Sequence, residues 1–451
     1  MVAYTKPDHP KGPVPMLPES FLTFLAVFEG SFTTPSYQRF LTMLTGWVLC
    51  VGKRTVTGVM RSAGVVGRRE HSGYHRFFSR GAWEPDVVGL ALLELVLSTV
   101  VPKTGRVVLA VDDTLARHTG KHIASASMHR DPLLSCANRL FWHFGHNWVV
   151  LAVVVHFPRW NKSYSLPVLA RLYRTTKVNE ALGLAHRKKT ELASELIALI
   201  SEHYPSRDFT VVGDNAFVNR SIFKPLPDNM DFIGRGRMDA ALYELAPEYQ
   251  GVGRPRVRGD KVTSPRDRRS KWTSLAVDIY GRPATVKVRV FKAVWYRVSY
   301  KEELLFVMIR DWPGHSKDDV LVSTDLELTA AQVIMLYCKR WTLEETFGSV
   351  KSRLGFEDPE NRSERAVHRT APMALWSYTL VIVWYASWAK GRRRLTMRLA
   401  PWYRGKKTPS FADMLATLRR QSWRLILSDQ AGKTRFDQKS IEPLLDAVGY
   451  G

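Results

Sequence analysis

The sequence predicts an α/β protein: a mixed sheet flanked by helices, with an N-terminal helical domain and a β-rich insertion. Three observations carry that expectation. Apolar residues recur at helical spacing from Glu19 to about Val101, and runs rich in β-branched residues then begin at RVVLAVDDT. The unbroken apolar run WVVLAVVV belongs in the middle of a sheet, covered on both sides. At 451 residues the chain has room for two or three domains, or for one with large insertions.

The elements follow in order. Residues 1 to 18 are Pro-rich and read as an extended arm. Residues 19 to 101 read as helices: ESFLTFLAVFEG, SYQRFLTMLTGWVL and the run from Trp83 to Val101. Between them, HSGYHRFFSR is a further helix, and two readings of it stand. It presents Arg76, Arg80 and its aromatics to a DNA groove, or it belongs to a bundle that only packs on the next domain. Residues 102 to 236 carry the strands RVVLAVDDT, NRLFWHFGHN and WVVLAVVVHF, a long helix from Asn179 to Tyr204, and the strands DFTVVGD and MDFIGRG. Residues 237 to 323 read as the insertion. A Gly-, Pro- and Arg-rich loop, GVGRPRVRGDKVTSPRDRRSKW, leads there into the alternating stretches WTSLAVDIYG, ATVKVRVFKAVWYRV and ELLFVMIRD. Helices return over 324 to 391, opened by the capping box T-A-A-Q at Thr329 to Gln332. Residues 392 to 451 form a basic region with a last helix, FADMLATLRRQSWRLIL.

Charge and cysteine usage narrow the function classes. Lys and Arg number 66 against 42 Asp and Glu, a net charge of +24, and the pI is ≈ 10.0. That balance favours a polyanionic partner, nucleic acid first and anionic membrane second, although a merely basic protein has it too. The apolar runs at 87 to 101 and 374 to 389 are shorter than the ~20 residues a membrane span needs and read as buried core helices. Cys50, Cys136 and Cys338 lie far apart without a CxxC, so neither a disulfide framework nor a cysteine zinc site is indicated. The first residues lack the apolar run of a signal peptide, so a cytoplasmic protein is expected. His118, His122, His129, Cys136, His143 and His146 cluster in sequence, and H-x3-H is a zinc-ligand spacing. No Glu follows the first His as a zincin requires, so polar or DNA-contacting histidines are the better reading.

The carboxylates stand out by context. Asp112 and Asp113 end RVVLAVDDT and Asp214 ends FTVVGDN, where the preceding residues read as core. Ions avoid burial unless paired or bound to metal, yet a strand end also simply meets solvent. The stretch YCKRWTLEETFGSVK adds a third acid. At ~100° per residue, Tyr337, Arg340, Glu344 and Lys351 fall within about 60° of one another on a helix, whereas Glu345 lies about 100° away from Glu344. Leu336, Leu343, Phe347, Val350 and Leu354 form an adjacent apolar stripe that packs the helix on a sheet. Two roles remain open for this face. It sends Glu344 towards the aspartates to bind hard divalent cations through oxygen, or Arg340 and Glu344 are an ordinary i,i+4 pair on a solvated helix.

These pieces, in this order, resemble one large group of bacterial insertion-sequence DDE transposases. Y-x2-R-x3-E-x6-K is present as Tyr337, Arg340, Glu344 and Lys351. VDDT matches the D-x-T pattern of the first aspartate with Asp112 and Thr114, and VVGDNAF the second with Asp214. The resemblance runs over roughly residues 70 to 425. It implies an RNase H-like catalytic domain carrying a β-rich insertion between the second Asp and the Glu. It implies two Mg²⁺ ions, replaceable by Mn²⁺, on Asp112, Asp214 and Glu344, and transposon-end phosphates gripped by Tyr337, Arg340 and Lys351. It implies double-stranded DNA as partner, both terminal inverted repeats and target, with a homodimer joining two ends. Asp113 does not fit D-x-T. Trp295 and Trp272 are the insertion aromatics in question for stacking a flipped base. GRP at Gly253 to Pro255 is a weak hint of minor-groove contact. The alternatives are an RNase H-like nuclease without strand transfer and a catalytically inactive DNA-binding descendant.

Overall fold

A computed structural model of the chain describes residues 16–67, 71–131, 134–136, 138–251, 253–393, 395, 397, 405–430, 448 and 449. Residues 1–15 of the expected arm, and 394, 396 and 398–404 of the basic segment, lie outside them. Leu17, at the arm's end, is already buried.

Five helices come first: α1 (Glu19–Leu25), α2 (Thr34–Leu49), α3 (Val56–Ser62), α4 (Ser72–Ser79) and α5 (Pro85–Val100). Their starts follow local chemistry. Pro35 and Pro85 stand in the first turns of α2 and α5, where a missing N–H costs nothing, and the Thr55 side chain accepts from Gly58 N to cap α3. The aromatics of α4 turn inward: Tyr74, Phe77 and Phe78 are buried, whereas His75 and Arg76 are exposed.

The sheet then begins with β1 (Val107–Arg117), β2 (Ser127–Arg130), β3 (Trp142–Phe157) and β4 (Lys162–Tyr173). After α6 (Thr176–Ala181) and α7 (Lys189–His203) come β5 (Phe209–Gly213), α8 (Arg220–Phe223) and β6 (Met230–Arg235). Here the structure redraws the sequence reading. NRLFWHFGHN and WVVLAVVVHF fall largely in one strand, β3, and KSYSLPVLARLY, not read as a strand from the sequence, forms β4. Pro167 sits at the irregularity where the β3–β4 register shifts, the place where a ladder tolerates a residue without an N–H. The helix expected from Asn179 to Tyr204 is two helices, broken around Gly183 with φ +67.

The insertion supplies β7 (Leu242–Tyr243), β8 (Lys261–Val262), β9 (Thr273–Ile279), β10 (Arg282–Val294), α9 (Tyr296–Ser299), β11 (Glu303–Arg310) and β12 (Asp319–Ser323). These strands continue the same sheet. It has 12 strands in the order β2-β3-β1-β5-β6-β12-β11-β10-β7-β8, with β4 on β3 and β9 on β10. β1, β5 and β6 are parallel neighbours, and β3 runs antiparallel to β1. Among the described residues four helices follow: α10 (Ala330–Cys338), α11 (Trp341–Leu354), α12 (Glu364–Ala389) and α13 (Phe411–Gln430). The capping box of Thr329 and Gln332 opens α10 as the sequence predicts, and Gly355, with φ 60, closes α11 in the left-handed region.

Both apolar runs are core helices: α5 and, almost wholly buried, α12. Among the described residues no helix is long and apolar enough to cross a membrane. Along β4 the strand carbonyls not used by β3 are taken by helix side chains. Thr346 donates to Ser165 O (2.9 Å), Thr379 to Pro167 O (2.8 Å) and Trp376 Nε1 to Val168 O (3.1 Å). A strand edge satisfied in this way is not open to pairing with another chain.

Arginines lock the N-terminal helices to the rest. Arg369 of α12 is 1% exposed, with its guanidinium over the Trp83 ring, and donates to Phe78 O (3.1 Å) and Trp83 O. Arg54 and Arg419 share the carbonyls at the end of α2. Arg54 donates to Trp47 O and Cys50 O, and Arg419 to Val48 O and Cys50 O. Arg369→Met keeps the bulk and strands two buried carbonyls. It should lower stability by about 3 kcal/mol, read as a lower midpoint in chemical denaturation, whereas Arg362→Met, at an exposed position, should leave that midpoint in place.

Candidate active site

The sheet register brings the two aspartates together. β5 pairs in parallel with β1 as far as Val111 opposite Gly213, so Asp112 and Asp214 are the first residues beyond the last paired rung. β1 continues to Arg117, paired with β3, so Asp112 lies inside its strand and not at the end. The sequence misplaced the strand end because only half of the ladder stops there. After Gly213 the chain turns sharply, and Asp214 Oδ1 accepts from Ala216 N (2.8 Å).

The doublet Asp112-Asp113 divides between the two faces of the sheet, as successive strand residues must. Asp113 Oδ2 takes Lys189 Nζ at the start of α7 (2.6 Å). Asp112 Oδ2 takes Arg340 Nη1 on the opposite side (2.9 Å). Lys189 went unremarked in the sequence because nothing local ties it to a residue 76 positions away.

Arg340 also holds Glu344, through Nη2 at 2.8 Å. One guanidinium thus links the first strand of the core to α11. The helix expected to run through Tyr337 and Lys351 breaks at Lys339 and Arg340, where short i→i−3 bonds join α10 to α11. The four residues therefore do not lie on one regular helix, yet three remain together. The Arg340 guanidinium lies 5.8 Å from the centre of the Tyr337 ring, and Tyr337 is buried edge-on against Trp312. Lys351, farther along α11, donates to Leu115 O (2.7 Å), three residues past Asp112 on β1. Glu345 turns away and pairs with Lys162 (2.9 Å).

The electrostatics are those of half-buried acids around one cation. Burial pushes the Asp112 carboxyl up to about 7, against the opposing pull of Arg340, and the nearby Asp214 and Asp113 add to the rise. Asp214 is raised as well, chiefly by burial, in spite of the Ala216 amide and Arg340. Burial alone would lower Arg340, but the charges of Asp112, Tyr337 and Glu344 outweigh it and hold the guanidinium above its ordinary value.

Among the described residues no three His, Cys, Asp or Glu side chains converge closely enough to hold a metal ion. At the carboxylates, Arg340 lies between Asp112 and Glu344, and its buried Nε has no hydrogen-bond partner. The donor set is oxygen only, carries excess negative charge and already holds a cation at its centre, which fits a hard divalent ion once Arg340 moves aside. The histidines are occupied elsewhere. His118 bonds His146 (3.0 Å), His146 bonds Ala124 O (2.8 Å), His143 meets Asp131 (3.0 Å) and His129 meets Ser127 (3.0 Å). His122 and Cys136 are exposed.

Neither insertion tryptophan singled out in the sequence has a ring free for stacking. Trp295 is buried, and Trp272 lies between the guanidiniums of Arg289 and Arg310 at 4.2 and 4.4 Å. The exposed aromatics beside Arg340 are Trp341, at the start of α11, and Tyr280, at the tip of the β9–β10 hairpin, with ring centres 6.1 Å apart. The signal for Tyr280 was the turn D-I-Y-G, in which Tyr280 adopts φ 54 and Asp278 accepts from Gly281 N.

The raised Asp112 has a pH signature in metal-free protein. A carboxyl whose folded pKa exceeds its unfolded value near 4 favours the fold while protonated and loses that contribution as pH rises through about 7. The unfolding midpoint should therefore fall between pH 5 and pH 8 in a chelator-treated sample, and Asp112→Asn should flatten that fall.

The comparisons with known proteins point the same way. A family model described as "DDE superfamily endonuclease" matches residues 27–297, a stretch that contains Asp112 and Asp214 and stops before Glu344. A search of curated proteins finds no match. The mixed sheet flanked by helices is consistent with the RNase H-like fold of such nucleases. With well over half its length in that match, the chain belongs to the DDE superfamily endonucleases, enzymes that act on DNA.

Proposed function

We propose that this endonuclease is a DNA transposase. It cuts at insertion-sequence ends and transfers the freed 3′-OH into target DNA. The observation that supports this most is the shared arrangement of Asp112, Asp214 and Glu344, two side by side at the end of a parallel ladder and the third tied to the first through Arg340. A protein that only bound DNA would gain nothing from buried acids facing phosphate.

On this reading Asp112, Asp214 and Glu344 are the metal ligands. Two Mg²⁺ ions, for which Mn²⁺ substitutes, would stabilise the charge on the attacking and leaving oxygens of an in-line displacement. Arg340 is released from Asp112 and Glu344 to meet a phosphate oxygen, with Lys351 on the same side of α11 and Tyr337 fixing Arg340 from behind. In the cut, a water oxygen attacks phosphorus and the 3′-oxygen leaves. In the transfer, that 3′-OH attacks a target phosphorus and displaces a target 3′-oxygen. Neither step needs a covalent protein intermediate, so no nucleophilic Ser or Tyr is required.

The proposed division of labour follows the sequence boundaries: 19–101 for DNA binding, 102–236 and 324–391 for catalysis, 237–323 as the insertion and 392–451 as a basic helical region. Two ends must be joined, so a homodimer on the DNA is expected. The work is done in the cytoplasm, at the nucleoid.

Purified protein should cut duplex carrying the element ends only with Mg²⁺ or Mn²⁺. Glu344→Gln should lose ~100-fold or more of that rate, while Glu345→Gln should stay within about twofold, because Glu345 serves Lys162. Equal cleavage by all three proteins would remove Glu344 from the site. A labelled 3′-OH donor should become joined to target DNA; cleavage without joined product would make the chain a nuclease alone.

Divalent metal should also raise the unfolding midpoint, and by more at pH 8 than at pH 5.5, since protons compete with metal at Asp112 below about 7. A shift of the same size at both pH values would separate metal binding from Asp112.

A further inference from the structure

The ladder edge that carries the two aspartates extends one strand further. β6 pairs in parallel with β5 as far as Gly213 opposite Gly234, so Arg235 stands on β6 where Asp112 and Asp214 stand on β1 and β5, first beyond the common rung. Neighbouring strands lie about 5 Å apart, which puts the Arg235 backbone about one spacing from Asp214 and two from Asp112. α10, which ends in Tyr337 and Cys338, packs against β5, β6 and β12. The charge of Arg235 reaches the Tyr337 hydroxyl, where it opposes the upward push of burial.

Arg235 is anchored in that place. Its rung partner on β12 is Leu321, and Asp319, two residues before Leu321, lies diagonally across on the same face of the sheet. Asp319 is 4% exposed. One of its carboxylate oxygens takes Arg235 Nη2 and the other meets His315 Nδ1. The His315 ring stacks on Trp312 with centres 5.5 Å apart, and Trp312 meets Tyr337 edge-on at 6.2 Å. The contacts thus run from Arg235 through Asp319, His315 and Trp312 to Tyr337, and across that ring to Arg340. The two ends of the ion pair differ in cover. Asp319 is enclosed, whereas the Arg235 side chain is 47% exposed, and among the described residues Asp319 is the only hydrogen-bond partner of its guanidinium. An enclosed acid that fixes an open guanidinium leaves N–H groups pre-oriented for an acceptor from outside the chain, and the planar fork suits phosphate oxygens.

We propose that Arg235 is a DNA-binding residue of the active site: it takes the non-bridging oxygens of a backbone phosphate next to the one that is cut, and Asp319 and His315 position it. The inference rests on the reading of Asp112, Asp214 and Glu344 as the place of cleavage, and it adds a second cation to Arg340 at the ladder edge. Arg235 keeps its anchor throughout and contacts a phosphate that does not react. It therefore holds substrate and transition state equally, and its loss appears in KM and not in kcat.

The test is Mg²⁺-dependent cleavage of duplex carrying the element ends by full-length protein over a range of substrate concentrations. Arg235→Ala should raise KM about tenfold with kcat within about threefold, and Arg235→Lys should recover part of that rise. Arg237→Ala, two residues on and already paired with Asp239, should leave KM within about twofold, so that loss of a nearby charge is not the cause. Asp319→Asn should raise KM by about threefold or more, and should add nothing in the Arg235→Ala background because it acts through Arg235. Duplexes with a methylphosphonate at each of the two phosphates flanking the cut complete the cycle. At one of them the substitution should raise KM about tenfold for wild-type protein and leave Arg235→Ala where it was. A folding defect would lower the active fraction, and with it kcat, and would not cancel against a change in the substrate. An unchanged KM in Arg235→Ala, an equal rise in Arg237→Ala, or additive losses from Arg235→Ala and both methylphosphonates would overturn the assignment. If wild-type protein cuts while those results fail, only the role of Arg235 is wrong. If wild-type protein cuts no duplex, the reading of the three acids fails and the assignment falls with it.

Discussion

A sheet centre cannot hold ionised carboxylates without a nearby positive charge, and Arg340 provides it. Its guanidinium spans from Asp112 on β1 to Glu344 on α11 and stands beside Tyr337 at the end of α10. That one bridge ties Glu344 to Asp112 and draws the Asp112 carboxyl down against the larger upward push of burial. The same burial that makes the bridge necessary makes it replaceable, because a divalent cation satisfies the acids at least as well as one guanidinium. On the proposed reading, such a site would keep its ligands collected while metal-free and would give up the arginine to a new partner when metal enters.

Around this centre, arginine is used repeatedly to close what secondary structure leaves open. Arg54 and Arg419 satisfy the carbonyls at the end of α2, and Arg369 those of Phe78 in the last turn of α4 and of Trp83 beyond it. Thr346, Thr379 and Trp376 do the same for β4. Buried main-chain carbonyls demand donors, and the planar guanidinium delivers several from one side chain. Part of the basic excess is therefore structural. Another share lies in residues 237 to 323, with seventeen Lys and Arg against eleven Asp and Glu.

Much of the fold is legible in the chain. Period-3.6 patterns mark α2, α5, α10 and α12, unbroken apolar runs mark β3 and β5, and alternation marks β9 to β11. The failures share a cause. β4 carries Pro167, which a bulge accommodates only in the paired strand, and the split of α6 from α7 is set by where the chain must turn to meet the sheet. The merging of the insertion into the core sheet through β6 and β12 leaves no local trace, since pairing between strands far apart in sequence is not encoded in either strand alone.

The candidate site divides in the same way. The sequence by itself singled out Asp112, Asp214 and Glu344 as candidates and separated Glu344 from Glu345, because strand context and helical spacing are local properties. Only the tertiary structure decided that Asp113 serves Lys189 on the opposite face, that the Tyr337-to-Lys351 stretch is two helices and not one, and that Tyr280 with Trp341 flanks the acids. Those outcomes depend on which side chain arrives from tens to hundreds of residues away to neutralise a buried charge. Packing fixes that choice, and periodicity carries no information about it.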